Sequence, residues 1–198
     1  MYAPLAAVAA AFALTTVAFA QEAAADPAQG YEDSYQLNYL VNLQLAGTVV
    51  NIINTGFHGF SPKGNICVSV FVFDFATQLK RCCSCGLDPN GLMSVTGTDL
   101  IGGVTPVPSS ITIKLLATLP PRGQICAIPT IAPNGLGSPG GYATGIRAWA
   151  TRLRVTGSGT TFGTETAFSK VPLSVEDLSR LTNFCASLPT CRCLSGAL

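Results

Sequence analysis

Eight cysteines carry most of the reactive chemistry in this sequence, and three of them fall within the short stretch RCCSCG (81–86). Cys82 and Cys85 have the C-x-x-C spacing used by zinc sites, iron–sulfur sites and dithiol redox centres. The same sulfur atoms could instead end disulfide bonds. The full set comprises Cys67, Cys82, Cys83, Cys85, Cys126, Cys185, Cys191 and Cys193.

The N-terminal segment helps to choose between these chemistries. Residues 1–20 form an apolar run that ends in the A-x-A-like pattern Ala18-Phe19-Ala20. We therefore expect a secretory signal peptide, although no Lys or Arg precedes the run. The mature protein is then secreted or attached to the cell surface. An even number of cysteines in an exported chain favours disulfides, and no histidine neighbours the cluster, so we predict no metal and no cofactor.

Strand geometry suggests which cysteines pair. Along an extended chain Cys83 and Cys85 point to one face and Cys82 to the other, so we expect them to have different partners. Cys185, Cys191 and Cys193 would supply three partners and fasten the C-terminal segment to the sheet. Cys67 would pair with Cys126 and hold a long loop. This connectivity is one of many that eight cysteines allow.

Catalysis has little support elsewhere in the sequence. The only histidine, His58, lies in the Gly/aromatic stretch TGFHGF, where we expect a solvent-facing loop. No serine has a G-x-S-x-G context, and no H-E-x-x-H motif occurs. We therefore predict that the protein is not an enzyme and has no catalytic residues. The carboxylates of the domain form no paired motif; they are Asp74, Asp88, Asp99, Glu165, Glu176 and Asp177.

The charge balance excludes some partners and suggests another. Lys and Arg number 11 and Asp and Glu number 10, so there is no basic surface for a nucleic acid. Charged residues make up only 11% of the chain, well below the usual share. Such a surface suits a protein that is partly covered by neighbouring copies of itself. No second apolar run reaches membrane-span length, so we predict no membrane span after signal cleavage.

Strand patterns dominate the rest of the chain. In QLNYLVNLQL (36–45) the odd positions are apolar and most even positions are polar, which predicts a strand with its odd face buried. NICVSVFVFDF (65–75) is apolar throughout and predicts a strand buried on both faces. SSITIKLLATL (109–119) and GIRAWATRLRV (145–155) alternate again. In the latter, Trp149 is expected in the core, with a sugar-stacking surface as the alternative.

One helix is predicted near the C-terminus, in PLSVEDLSRLTNFC (172–185). Ser174 is a suitable N-cap, and Leu178, Leu181 and Cys185 share one helix face. Together these elements predict an all-β fold, an antiparallel Ig-like or Greek-key β-sandwich with one C-terminal helix tied by disulfides. The expected organisation is a signal peptide (1–20), a flexible lead (21–35), an N-terminal strand (36–46) and a disulfide-rich domain (47–198).

Three stretches together resemble a known group of sequences. They are GNICVSVFVFDFATQLKRCCSCGLDPNGL, ATGIRAWATRL and TETAFSKVPLSVEDLSRLTNFC. In these the chain resembles a group of exported, disulfide-containing bacterial β proteins, frequent among acidobacteria, with no established activity. The resemblance covers most of the chain after about residue 45. It implies secretion and a shared disulfide-tied β domain, and it implies no catalytic residue.

Three hypotheses about function remain after these exclusions. The first is an extracellular structural subunit that self-assembles into a filament or surface matrix by donating its N-terminal strand to a neighbour's sheet. The alternative is a secreted, monomeric β-sandwich that binds glycans or surfaces through the 120–145 and GFHGF loops. A hydrolase with a site assembled by the fold is a third, weaker hypothesis. In the first function the assembly residues would be Leu37, Tyr39, Val41, Leu43 and Leu45.

Overall fold

The structure is a computed structural model that describes residues 33–41, 43, 47–56, 64–102, 104–120, 126, 141–159 and 161–185. This part of the chain contains nine strands and two helices. In chain order they are β1 (Tyr35–Val41), β2 (Thr48–Asn54), β3 (Ile66–Asp74), β4 (Leu79–Leu87), β5 (Leu92–Thr96), α1 (Gly97–Ile101), β6 (Ser110–Thr118), β7 (Ile146–Val155), β8 (Thr161–Ala167), β9 (Ser169–Lys170) and α2 (Val175–Cys185).

The strands form two antiparallel sheets that pack as a sandwich. Sheet A has the order β4-β3-β6-β1-β9, and sheet B has the order β5-β2-β7-β8. Buried aliphatic side chains from the facing sides of both sheets form one core between them. The predicted antiparallel β-sandwich with a disulfide-tied C-terminal helix is therefore confirmed.

Strand β3 is buried on both faces, as its continuous apolar sequence predicts. Val70 and Val72 point into the core between the sheets, and each is at most 1% exposed. Phe71 points the opposite way, to the outer side of sheet A, where it is also fully buried. The reason is that α2 covers this outer side, so β3 lies in the middle layer of three.

Helix α2 begins and packs as its sequence predicts. The amide of Asp177 donates a hydrogen bond to the hydroxyl of Ser174 at 3.1 Å, which caps the helix start. Leu178 and Leu181 are 3% and 2% exposed and pack with Phe71 in a second apolar cluster. These apolar contacts pack the helix against the outer face of sheet A.

Helix α1 is a short element that the apolar periodicity did not predict. The hydroxyl of Thr96 accepts a hydrogen bond from the amide of Asp99 at 3.1 Å, and Gly102 ends the helix in the left-handed conformation. Leu100 and Ile101 are buried in the core between the sheets. The T-x-x-D spacing from Thr96 to Asp99 was an available capping signal.

Trp149 does not lie in the core, so that expectation is wrong. On β7 the side chains that enter the core are Ala148 and Ala150, which are 5% and 0% exposed. They pair with Ile52 and Val50 of β2, whose larger side chains fill the core beside them. Alternation then places the partly buried Trp149 on the outer face of sheet B. The sequence pattern showed two faces but not which of them was inside.

Candidate functional site

Strand β1 is the element on which the assembly hypothesis depends. It pairs with β6 over seven residues, from Tyr35 opposite Leu116 to Val41 opposite Ser110. On its other side it pairs with the short β9 at only two positions. Within a single chain, β1 therefore completes sheet A of its own sandwich.

The buried face of β1 is the opposite of the predicted one. Gln36, Asn38 and Leu40 point inward and are 2%, 7% and 0% exposed. Of the odd residues, Leu37 and Val41 are partly buried on the outer side, and Tyr39 is 53% exposed. After the strand, Leu43 is buried in the core, and Leu45 lies outside the described residues.

Hydrogen bonds explain how amide side chains can occupy the inner face. The side-chain NH2 group of Gln36 donates to the carbonyl oxygen of Ile146 at 3.0 Å. That of Asn38 donates to the carbonyl oxygen of Thr166 at 3.1 Å. Both carbonyls belong to the facing sheet B, so the amides link the two sheets and their burial is compensated. Alternation alone could not reveal these partners.

Beyond β9, side chains satisfy the backbone groups of Tyr39 on the free edge of β1. The amide of Tyr39 donates to Asn38 Oδ1 at 2.7 Å, and its carbonyl oxygen accepts from Arg152 Nη2 at 3.3 Å. A strand edge with satisfied backbone groups is a poor template for another chain. Simple addition of a neighbour's strand to this edge is therefore disfavoured.

The cysteine cluster lies inside β4, and its side chains diverge as predicted. Cys82 faces α2 and bonds to Cys185, with Cα atoms 5.7 Å apart. Cys83 and Cys85 face the core between the sheets and are also disulfide-bonded. The other two cysteines of the predicted partner set, Cys191 and Cys193, lie outside the described residues.

The predicted bridge between Cys67 and Cys126 is confirmed, with Cα atoms 5.4 Å apart. It connects β3 to the segment between β6 and β7. A sulfur atom held in a disulfide offers no thiolate to a metal. No group of three or more His, Cys, Asp or Glu side chains in the described ranges is placed to hold a metal ion. Through Cys82, the cluster thus forms a covalent link between β4 and α2.

A cavity of about 370 Å³ lies between α2 and the outer face of sheet A. Lys114 is one of the residues that line it, and its Nζ lies 3.3 Å from the carboxylate of Asp177 and 5.4 Å from the ring centre of Phe73. The charges of Lys114 and Asp177 are therefore already paired with each other. The described lining contains two threonines but no serine, cysteine or histidine that could act as a nucleophile or base. Its residues are Phe73, Asp74, Thr77, Thr112, Lys114, Asp177, Arg180, Leu181 and Phe184.

Asp74 lies at the edge of this cavity and organises the turn between β3 and β4. One carboxylate oxygen accepts hydrogen bonds from the amides of Ala76 and Gln78, each at 2.9 Å, and the other is 3.0 Å from Lys80 Nζ. Desolvation acts to raise the pKa of Asp74, but the Gln78 amide and the Lys80 ammonium outweigh it, so the pKa is lowered. This carboxylate therefore has a structural role.

Replacing Asp74 by alanine is expected to cost about 1–2 kcal/mol of stability at pH 7, since it removes both turn hydrogen bonds. Because the folded-state pKa is lowered, this contribution is complete above the ordinary carboxyl pKa and is lost as the pH falls through the lowered value. Urea unfolding at pH 7 and near pH 2 measures the change. Asp88→Ala, in the exposed turn after β4, is the control. A deficit for Asp74→Ala that is equal at both pH values would contradict this account.

Neither described helix is long and apolar enough to cross a membrane. The disulfides are those expected of a protein in an oxidising compartment. His58 and most of the loops at 56–60 and 120–145, which the sequence suggested for binding, lie outside the described residues.

Comparison with known proteins adds little to this description. Neither the family models nor the curated proteins gave a match. Among solved structures, the crystal structure of Thermotoga maritima 1070 is similar, with a TM-score of 0.42 and 11% identity over 72% of this chain and 97% of that chain. A likeness of this size carries no argument about function.

Proposed function

We propose that the protein is an extracellular, non-catalytic structural subunit that self-assembles by exchanging β1 between copies. The observation that carries the proposal is the seven-residue antiparallel pairing of β1 with β6. Without β1, sheet A would have an open position beside β6, over 110–116. The strand that fits this position is the first strand of the described fold.

The positions of the disulfides support the exchange of β1. The disulfides involve β3, β4 and α2, whereas β1 contains no cysteine. A neighbour's β1 would make the same backbone pairs and the same amide bonds to sheet B that the chain's own strand makes. Exchange of an identical element therefore costs little, because each donated strand is replaced by an equivalent one. The closed edge of β1 disfavours simple strand addition, so exchange is the route that the contacts allow.

In this form of the proposal, the donated strand inserts Leu40 between the sheets. Gln36 and Asn38 bridge to sheet B, and the apolar residues Leu37 and Tyr39 lie on the outer side. The low share of charged residues, 11%, suits surfaces that are covered in an assembly. The disulfides suit durability outside the cell.

A cross-strand cysteine pair tests the exchange. Tyr39 and Thr112 lie directly opposite each other on the outer side of sheet A. The backbone groups of Tyr39 point away from β6, so this is a non-hydrogen-bonded pair, whose short separation suits a disulfide. In the variant Tyr39→Cys/Thr112→Cys, exchanged strands would link neighbouring chains. We expect a reducible ladder of covalent oligomers on a non-reducing gel.

The single variants Tyr39→Cys and Thr112→Cys are the controls, because neither can form this bridge and each reports random oxidation. If the double variant gives only an internally bridged monomer at high protein concentration, β1 stays within its own chain and the proposal is wrong. A sizing column on the unmodified protein provides the parallel measurement. There we expect oligomers that grow with concentration.

A further inference from the structure

We propose that the outer face of sheet B binds a β-linked polysaccharide that lies flat across the strands. This face is defined by Trp149, Thr151 and Leu153 of β7, Asn51 of β2, Ser94 of β5 and Glu165 of β8. The proposal stands apart from strand exchange, which concerns sheet A. It rests on three observations about side chains that the fold turns away from the core.

The first observation is a partly buried indole on the outer side of sheet B. Trp149 is partly buried on the outer side of β7, and Leu153, four residues further along the same face, is 42% exposed. Within the described ranges, neither helix packs on this side of sheet B: α1 contributes to the core and α2 lies on sheet A. An aromatic ring held on a rigid central strand is a ready stacking surface.

The second observation is a row of polar side chains that crosses all four strands beside the indole. Ser94 Oγ donates to Asn51 Oδ1 at 2.7 Å, and Asn51 Nδ2 donates to Thr151 Oγ1 at 3.2 Å. Thr151 Oγ1 in turn donates to Glu165 Oε1 at 3.5 Å. The row fixes these side chains in advance, which reduces the entropy lost on binding. The Glu165 carboxylate keeps capacity to accept further hydrogen bonds.

The third observation is a glycine that the fold does not require. Gly163 is the β8 neighbour of Leu153 on this face. A Cβ added there would meet only ordinary contacts, 3.5 Å from Thr151 Cγ2 and 3.8 Å from Leu153 Cδ2. Glycine weakens a strand and often marks the close approach of a ligand. Here Gly163 leaves the surface of β8 beside Leu153 without a bulky side chain.

These features match the chemistry of a pyranose chain. A sugar ring presents C–H groups on its face and hydroxyls at its edge, so it can stack on an indole while donating to a carboxylate and an amide beside it. A β-1,4-linked chain is an extended ribbon that suits a flat sheet face, whereas small ligands favour concave pockets. The occupant inferred is therefore a β-1,4-glycan.

The single tryptophan of the sequence gives a direct probe of this face. Titration of the full mature protein with cellohexaose is expected to shift the Trp149 emission to shorter wavelength and to reduce its quenching by acrylamide. Retention on microcrystalline cellulose measures the same affinity independently. We expect Trp149→Ala to weaken that retention by about tenfold, the effect of losing one stacked ring of about 1.4 kcal/mol.

Two further variants make the test specific. Gly163→Val adds bulk to the face from a Cβ position that meets only ordinary contacts, and we expect it to weaken retention severalfold while leaving the unfolding midpoint unchanged or raised. Phe162→Ala removes a 45% exposed aromatic from the opposite face of β8, and we expect retention equal to that of the unmodified protein.

Equal retention of the Trp149→Ala variant, or no retention and no spectral change for the unmodified protein, would overturn the proposal. So would a change of oligomeric state in Trp149→Ala without glycan, because the face would then contact a second copy. The variant Tyr39→Cys/Thr112→Cys, isolated as an internally bridged monomer, serves to measure binding without assembly. Failure of glycan binding and failure of strand exchange are therefore distinguishable.

Discussion

Removing the bridge between β4 and α2 by Cys82→Ala/Cys185→Ala is expected to lower the free energy of unfolding by about 3–5 kcal/mol. The bond joins residues 103 apart in sequence and ties the end of α2 to β4, so its loss leaves the apolar contacts of Leu178 and Leu181 to hold the helix. Alanine is chosen because both positions are buried, at 2% and 8% exposure, and a serine hydroxyl there would need a partner. Guanidinium unfolding followed by circular dichroism measures the change.

The bridge between Cys67 and Cys126 gives the matched comparison. It spans 59 residues, and loop entropy alone makes its contribution smaller by only about 0.5 kcal/mol. The difference between the two variants therefore isolates the docking of α2. We expect faster hydrogen exchange in α2 only when Cys82 and Cys185 are replaced. Unchanged exchange, or a loss below about 1 kcal/mol, would mean that Leu178 and Leu181 hold the helix without the bond.

Replacing Asn54 by aspartate is expected to cost about 3–5 kcal/mol at pH 7, although the two side chains have nearly the same shape. Asn54 is fully buried at the end of β2. Its NH2 group donates to the carbonyl oxygens of Gly64 and Leu87, at 2.7 and 3.1 Å, and its oxygen accepts from the Gly56 amide at 2.9 Å. A carboxylate cannot donate to those two carbonyls, so it would be a buried charge facing two acceptors.

The pH dependence of this variant has a definite sign. Burial and the two carbonyl oxygens raise the pKa of the introduced carboxyl above its value in the unfolded chain. The deficit is then smallest below the ordinary carboxyl pKa and grows as the pH rises through it. Urea unfolding at pH 3 and pH 7 measures this growth. Asn51→Asp, on the outer face of the same strand, is the control, and an equal loss in both variants at pH 7 would contradict the interpretation.

Much of the fold could be predicted because local patterns specify it. The uninterrupted apolar run at 65–75 needs cover on both sides, and β3 lies between the core and α2. Ser174 and the spacing of Leu178, Leu181 and Cys185 define where α2 begins and which face it buries. The divergence of Cys82 from Cys83 and Cys85 follows from strand alternation. The observed partners, Cys126 for Cys67 and Cys185 for Cys82, agree with the pairing suggested by the sequence.

The sequence by itself determined that β1 and β7 alternate, but only the tertiary structure decided which face of each lies inside. Alternation with period two is symmetric, so it separates two faces without naming the buried one. On β1 the inner face can include two amide side chains because carbonyl oxygens of sheet B, more than a hundred residues away in the chain, accept hydrogen bonds from Gln36 and Asn38. On β7 the small alanines face the core, which leaves Trp149 outside. Both outcomes depend on partners that approach only when the two sheets pack.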